Sequence, residues 1–298
     1  MSTNGTGGPP WLAFNSDGSI HLSGVPERII RHPGLKKRGI TLADALKPGV
    51  IFRSVTESVV VKVLDLNREE LQIYERLIPD LAVPENHIVP CEIDRLDHPL
   101  LIMPTLRNMF INVHTNHTPH STLLHMFHDL VEGIEYLHRH NIAHMDICYD
   151  NAMIAMPQDV AIHPELTPGR VYLIDFDSAR QFKLRPGVQP AITLPETQAD
   201  APDGLTYFDP YSWDVYCLGK LFEYITDFWC EDYNQVPWII RRYIQWLIGE
   251  ERGCHEVCRC RPTAKTARRV LAAICAIWST LDTLHTVFST ISSLLTAP

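Results

Sequence analysis

The sequence predicts an α+β protein with two lobes, a small β-rich N-terminal lobe and a large helical C-terminal lobe. Short β-branched runs at residues 50–52 and 59–64 predict strands in the first third of the chain. Between Leu123 and Leu137, apolar residues recur at intervals of four, three, four and three, which predicts an amphipathic helix. From Asp214 onward several helices are predicted, and 298 residues suffice to bury a substantial core.

The N-terminal lobe is predicted to continue with one helix and two more strands. Asn67 is expected to open the helix and Pro79 to close it, because the apolar residues between them follow helical spacing. Residues 87–93 and 100–103 are the next predicted strands. This order places one helix inside a strand-rich lobe.

The predicted domain begins after a loose N-terminal extension. Residues 1–30 contain a Gly-Gly-Pro-Pro run and few periodic apolar positions, so the domain is placed at 31–298. Its N-lobe is expected at about 31–103 and its C-lobe at about 104–298. Residues 270–295 are apolar enough to suggest a membrane anchor, but charged and hydroxyl side chains interrupt them, so a docked helix is predicted.

Composition restricts the partners and the compartment. The net charge is −9 and no long basic run occurs, so no nucleic-acid surface is expected. The N-terminus lacks the features of a signal peptide, which predicts a cytoplasmic protein with mostly free thiols and no membrane partner. Cys254, Cys258 and Cys260 resemble metal ligands, but no second ligand pair lies at a distance, so their spacing argues against zinc.

A loop and a following acidic motif carry the candidate chemistry. Residues 144–151 read His-Met-Asp-Ile-Cys-Tyr-Asp-Asn, and Asp175-Phe-Asp follows an apolar run 24 residues after Asn151. The spacing H-x-D-x-x-x-x-N, then D-F-x, resembles that of the protein-kinase-like superfamily. The resemblance covers about residues 50–271 and looks closest to divergent protein-kinase-like proteins common in fungi.

The resemblance implies a Mg-ATP site and assigns a role to each motif residue. Asp175 and Asn151 would hold Mg²⁺, because the metal prefers hard oxygen ligands. Asp146 would orient the acceptor hydroxyl and take its proton, while His144 would brace the loop. Residues 103–106 resemble the hinge that contacts adenine; within them Met103 would line the adenine pocket, with Thr105 and Leu106 beside it.

Lys62 resembles the strand lysine that contacts the ATP phosphates, and Glu70 resembles its partner on the helix. Glu70 also fits a capping box that starts at Asn67, in which case it would only close the helix start. Glu75 is the alternative partner for Lys62. Further along the chain, Asp214 resembles the aspartate that holds the catalytic loop.

Arg261 resembles a late arginine that pairs with an acid at the end of the activation segment. That acid is Glu196 or Asp203 on the sequence alone. Both roles would be structural rather than catalytic.

Several positions depart from the family pattern. No G-x-G-x-x-G run precedes Lys62, Met145 stands in place of an arginine, Cys148 in place of a lysine, and Asp177 in place of a glycine. The leading prediction is a protein kinase that acts on Ser or Thr of an unidentified protein. A pseudokinase scaffold and a small-molecule kinase are the alternatives.

Overall fold

The computed structural model describes residues 9–115, 118–194, 196–229, 236–250, 254 and 256–296. Its helices are α1 (Glu27–Ile30), α2 (Pro33–Arg38), α3 (Glu70–Leu77), α4 (Met109–Thr115), α5 (His120–Arg139), α6 (Pro157–Ile162), α7 (Pro210–Trp229), α8 (Trp238–Ile248) and α9 (Ala264–Thr296). Its strands are β1 (Leu42–Lys47), β2 (Ile51–Ser54), β3 (Val59–Val63), β4 (Glu92–Asp94), β5 (Leu100–Pro104), β6 (Arg107–Asn108), β7 (Ile142–Ala143), β8 (Ala152–Ile154), β9 (Val171–Leu173), β10 (Arg180–Gln181), β11 (Ile192–Thr193) and β12 (Tyr207–Phe208).

The N-lobe is built on an antiparallel sheet. Within the described residues its strand order is β1-β2-β3-β5-β4, and the central β3–β5 pair runs from Val59 opposite Pro104 to Val63 opposite Leu100. Because side chains alternate along a strand, Val61 and Val63 enter a core on one face of the sheet while Lys62 projects from the other. This alternation places Lys62 on the face that carries α3.

Two predicted boundaries in this lobe are wrong. The predicted strand at 87–93 is replaced by β4, which spans Glu92–Asp94, while Ile88 forms an isolated bridge to Leu173 of the C-lobe. The helix begins at Glu70 and not at Asn67, whose backbone N–H instead donates to Asp65 Oδ1 at 2.9 Å. The contact with the C-lobe keeps Ile88 out of the sheet of the N-lobe. The local turn at Asp65–Asn67 keeps Asn67 out of the helix.

Within residues 9–30, Trp11 and Ile29 are buried in a core cluster on one face of the sheet. Trp11 is 6% exposed, and the Arg28 guanidinium lies 3.9 Å from the centre of its ring. The backbone N–H of Trp11 also donates to the Gly49 carbonyl, in the turn between β1 and β2, at 2.8 Å. Residues 1–8 of the predicted extension lie outside the described residues, and the predicted domain limits stay a prediction.

The C-lobe is organised around α5 and α7. Phe127 of α5 stacks on Phe222 of α7 with ring centres 3.9 Å apart, and both are fully buried. The first half of α9 packs along α5, where Arg268 forms ion pairs with Glu132 and Glu135. A small antiparallel-sheet lobe followed by a larger helical lobe is the two-lobed α+β architecture that the sequence predicts.

The part of the chain that the structure describes holds no helix with both the length and the apolar character needed to cross a membrane.

Candidate active site

A cavity of about 500 Å³ lies where the sheet meets the C-lobe. It brings together most of the predicted site residues from both lobes. The lining includes Lys62 and the hinge residues Met103, Pro104, Thr105 and Leu106 from the N-lobe side, and Asn151, Met153, Ile174 and Asp175 from the C-lobe side.

Lys62 joins two carboxylates from different parts of the chain. Its Nζ lies 2.6 Å from Glu70 Oε1 and 2.6 Å from Asp175 Oδ1. Glu70 Oε1 also accepts the Phe176 N–H at 3.1 Å. Helix α3 therefore contacts the acidic motif directly through this hydrogen bond and indirectly through Lys62. The alternative partner, Glu75, pairs instead with Arg95 on the surface. The structure therefore brings Lys62 together with Glu70, and the capping interpretation of Glu70 does not describe its contacts.

Burial and charge act against each other in this network. Burial alone would lower the pKa of Lys62, but Glu70 and Asp175 outweigh it and raise that pKa above its ordinary value. For Asp175, desolvation is outweighed by Lys62, so the pKa of this carboxyl falls below its ordinary value. Burial raises the pKa of Glu70, an effect that Lys62 opposes. Lys62 is therefore cationic and Asp175 anionic at neutral pH.

The loop after β7 holds Asp146 and Asn151 side by side. Asn151 Nδ2 donates to the Asp146 carbonyl at 2.9 Å and to Asp146 Oδ2 at 3.2 Å. Since the amide nitrogen is used in this way, the amide oxygen of Asn151 is left for another ligand. Asp175 has φ of 61°, a left-handed conformation that costs energy in a non-glycine residue and is typical of functional sites.

Asp214 of α7 holds the loop that contains Asp146, which is the role its resemblance implies. Its carboxylate accepts the backbone N–H of Met145 at 2.7 Å and of His144 at 2.9 Å, and it lies 2.9 Å from His138 Nε2. Asp214 is fully buried, so these charge-assisted bonds form away from water. The start of the loop is thereby held by the central helix of the C-lobe.

Aromatic rings connect α3, the acidic motif and the loop. The ring of Phe176 lies 5.1 Å from that of Tyr74 and 4.8 Å from that of His144. His144 Nε2 lies 3.1 Å from the Ile174 carbonyl, and His144 is fully buried. These contacts brace the loop, which is the role expected for His144.

Lys47 is a site residue that sequence reasoning missed. It ends β1, lines the cavity, and helps to lower the pKa of Asp175. The turn that follows contains Gly49 at φ of 72°, in the position where the resemblance predicts a glycine-rich run. The only sequence signal was a lysine next to Pro-Gly, which is common in surface turns.

Gln198 is the second missed residue. Its backbone N–H donates to Asp146 Oδ1 at 2.8 Å, and it also lines the cavity. One oxygen of Asp146 is therefore bound to the segment between Asp175 and α7, which resembles the activation segment of protein kinases. No sequence pattern predicts this contact, because it joins positions 52 residues apart through a backbone group.

The positions that depart from the family pattern are accommodated without disrupting the site. Met145 is fully buried, and its backbone carbonyl accepts from Trp213 Nε1 at 3.0 Å. Burial, reinforced by nearby Asp146, raises the pKa of the Cys148 thiol to about 12, so this cysteine is neutral at physiological pH. Asp177 lies 3.8 Å from Arg68, outside the cavity lining.

Arg261 contacts the start of α7. Its guanidinium donates to the Ile248 carbonyl at 2.6 Å and to Ser212 Oγ at 3.3 Å. Glu196 and Asp203, the two predicted partners, are both exposed. Asp209 is one acid near this junction, and its carboxylate accepts the Cys258 N–H at 3.2 Å.

Part of the chain matches a known protein family. Residues 91–167 match the family described as protein tyrosine and serine/threonine kinase. The matched segment contains the hinge and the loop with Asp146 and Asn151, whereas Lys62 and Asp175 lie outside it. No curated protein matches the chain at a significant level. The matched segment and the two-lobed fold together confirm the resemblance of this chain to the protein-kinase-like superfamily.

Proposed function

We propose that the chain is a phosphotransferase that moves the γ-phosphate of Mg-ATP to a Ser or Thr hydroxyl of a protein. The observation that carries this proposal is the position of Lys62 Nζ, 2.6 Å from both Glu70 and Asp175 at the wall of the cavity. Phosphoryl transfer depends on positioning and on neutralising phosphate charge. A lysine fixed between a helix carboxylate and a candidate metal ligand meets both needs.

The donor set at the back of the cavity fits Mg²⁺. Asp175 offers a carboxylate and Asn151 an amide oxygen, and both side chains line the same space. When bound there, Mg²⁺ would neutralise charge on the β- and γ-phosphates. Lys62 would contact the α- and β-phosphates, and Lys47 would supply a second cation where a glycine-rich backbone cradle is expected.

The hinge supports adenine binding. Pro104 has no N–H, so it offers only its carbonyl, as an acceptor. We assign the Leu106 N–H as the donor to adenine. Val60 and Met153 line the same cavity and supply apolar contacts for the ring. The adenine would therefore enter between β3 and β8.

The acceptor is proposed to approach Asp146 from a second groove. This groove has a volume of about 720 Å³ and is lined by Cys148 and by Tyr216, Glu223 and Tyr224 of α7. Its size and its open position beside the loop favour a polypeptide over a small acceptor. Asp146 would accept the proton of the substrate hydroxyl.

A thermal-shift titration with ATP, with and without Mg²⁺, tests the proposal. Ligand at about 100 times its Kd stabilises the folded state by about 2.7 kcal/mol, which is readily measured. We expect a clear increase in Tm that requires Mg²⁺ and is reduced in Asp175→Ala. An absence of any shift at millimolar ATP would contradict the proposal.

The second candidate is a scaffold that binds nucleotide without turnover. The contact of the Gln198 N–H with Asp146 Oδ1 favours it, because this oxygen is then unavailable to an acceptor. An ATP-hydrolysis assay separates the two candidates. Release of phosphate that depends on Asp146 supports the enzyme, whereas nucleotide binding with equal background release in wild type and Asp146→Ala supports the scaffold.

A further inference from the structure

Three cysteine sulfurs converge in the loop that precedes α9. The Sγ atoms of Cys254, Cys258 and Cys260 all lie within 4.8 Å of one another, and those of Cys254 and Cys260 are 3.5 Å apart. All three residues are partly buried. The sequence spacing argues against a metal because it lacks a second distant pair, but the structure brings the three sulfurs of Cys254, Cys258 and Cys260 together.

The geometry matches a thiolate metal site. A Zn–S distance of about 2.3 Å in a tetrahedral site places bound sulfurs about 3.8 Å apart. The Cys260 N–H lies 3.4 Å from Cys258 Sγ, and Arg261 Nη1 lies 3.9 Å from the same sulfur. Both donors favour the ionised form of sulfur, which is the form that binds metal.

We propose that Cys254, Cys258 and Cys260 bind one zinc ion through their sulfurs, with a fourth position open to water or another ligand. Cysteine sulfur is a soft ligand that selects zinc over Mg²⁺, so this site is separate in chemistry from the nucleotide cavity. A disulfide between Cys254 and Cys260 is the competing outcome. It would use two of the three converging sulfurs and leave Cys258 without a role.

The contacts around the loop indicate what the metal stabilises. The Cys258 N–H donates to Asp209 Oδ2, while Asp209 Oδ1 accepts the Tyr211 N–H at 3.0 Å, at the start of α7. Arg261, directly after the last ligand, reaches Ser212 in the same turn. The ion therefore holds the loop against the helix that carries Asp214, and its role is structural.

The first experiment measures zinc directly in the full chain. The protein is purified reduced, loaded with zinc and desalted, and its metal content is measured by mass spectrometry. We expect about one zinc per chain in wild type and less than about a tenth of that in Cys258→Ser. The matched control Cys91→Ser removes a thiol from the N-lobe and should retain the wild-type content. Wild type that retains no zinc would overturn the proposal.

The second experiment needs no variant and decides the question if Cys258→Ser fails to fold. Thiols of the wild-type chain are alkylated with iodoacetamide, with and without zinc, and each site is mapped by mass spectrometry. Zinc should slow modification of the three ligands about tenfold or more and leave Cys275 unchanged. Equal rates with and without zinc would overturn the proposal. So would a Cys254–Cys260 disulfide that forms equally fast when zinc is present.

Discussion

At the scale of single residues, the Lys62 ammonium is the group on which the stability of the site depends. It is 3% exposed and neutralises Glu70, which is fully buried. Removing one partner of a buried ion pair typically costs about 3–5 kcal/mol, because the other charge is left without compensation. We expect Lys62→Met to lower the free energy of unfolding by about that amount, measured by urea denaturation.

The matched control is the double variant Lys62→Met/Glu70→Gln. It removes the buried negative charge as well, so it should recover part of the lost stability. If the single and double variants were equally stable, the buried charge of Glu70 would not be the cause.

Asp175 is the residue whose loss should affect chemistry most. Its carboxylate is both the partner of Lys62 and the proposed metal ligand. We expect Asp175→Ala to lower ATP turnover about a thousandfold, equivalent to about 4 kcal/mol of transition-state stabilisation. The control Asp177→Ala removes an acid two residues away that lies outside the cavity lining, and it should keep most of the activity. Wild-type turnover in Asp175→Ala would contradict the enzyme proposal.

At the scale of elements, the sequence predicts best what is local. The sequence predicts Asp146, Asn151 and Asp175 because a short loop and a strand end fix their spacing in the chain. Lys47 and Gln198 were missed because their positions depend on how a hairpin and a long segment fold over the cavity. The start of α3 was placed too early because the Asp65–Asn67 turn uses the same residue types as a helix cap.

The segment between Asp175 and α7, which resembles the activation segment of protein kinases, gives a prediction about regulation. A phosphate there acts by recruiting a cation, commonly an arginine next to the catalytic aspartate. Here that position is Met145, which is fully buried and carries no charge. We therefore expect Thr197→Glu and Thr193→Glu to change ATP turnover by less than about tenfold, or 1.4 kcal/mol.

A phosphatase-treated sample provides the comparison for this prediction. Its activity should stay close to that of the untreated protein. Near-complete loss of activity on treatment, with recovery after rephosphorylation at Thr197, would show that another cation replaces the missing arginine.

At the scale of the whole molecule, the segment before α1 stabilises the N-lobe and the turn over the cavity together. Trp11 contacts the Arg28 guanidinium and the His98 ring, and its backbone N–H donates to the Gly49 carbonyl. Replacing a buried tryptophan by alanine typically costs about 3–5 kcal/mol. We expect Trp11→Ala to lower Tm by about 6 °C or more and to weaken ATP binding, measured by thermal shift.

The control for this change is Phe14→Ala. Phe14 lies in the same segment but is 62% exposed, so its removal should alter Tm little. If neither variant lowered Tm, the segment would act through its backbone alone.

The contact between Trp11 and Gly49 joins the N-terminal segment to the body of the lobe without a covalent bond. The segment is therefore separable in principle if the chain is cut between Trp11 and α1. Residues 16–24 between the buried tryptophan and α1 are mostly exposed, so a protease has access to the chain there. A cut at this point would leave the peptide that contains residues 9–15 bound through the Trp11 indole and the backbone hydrogen bond from Trp11 to Gly49. Dilution should then release the peptide and loosen the β1–β2 turn, and adding the synthetic peptide back should restore nucleotide binding in trans.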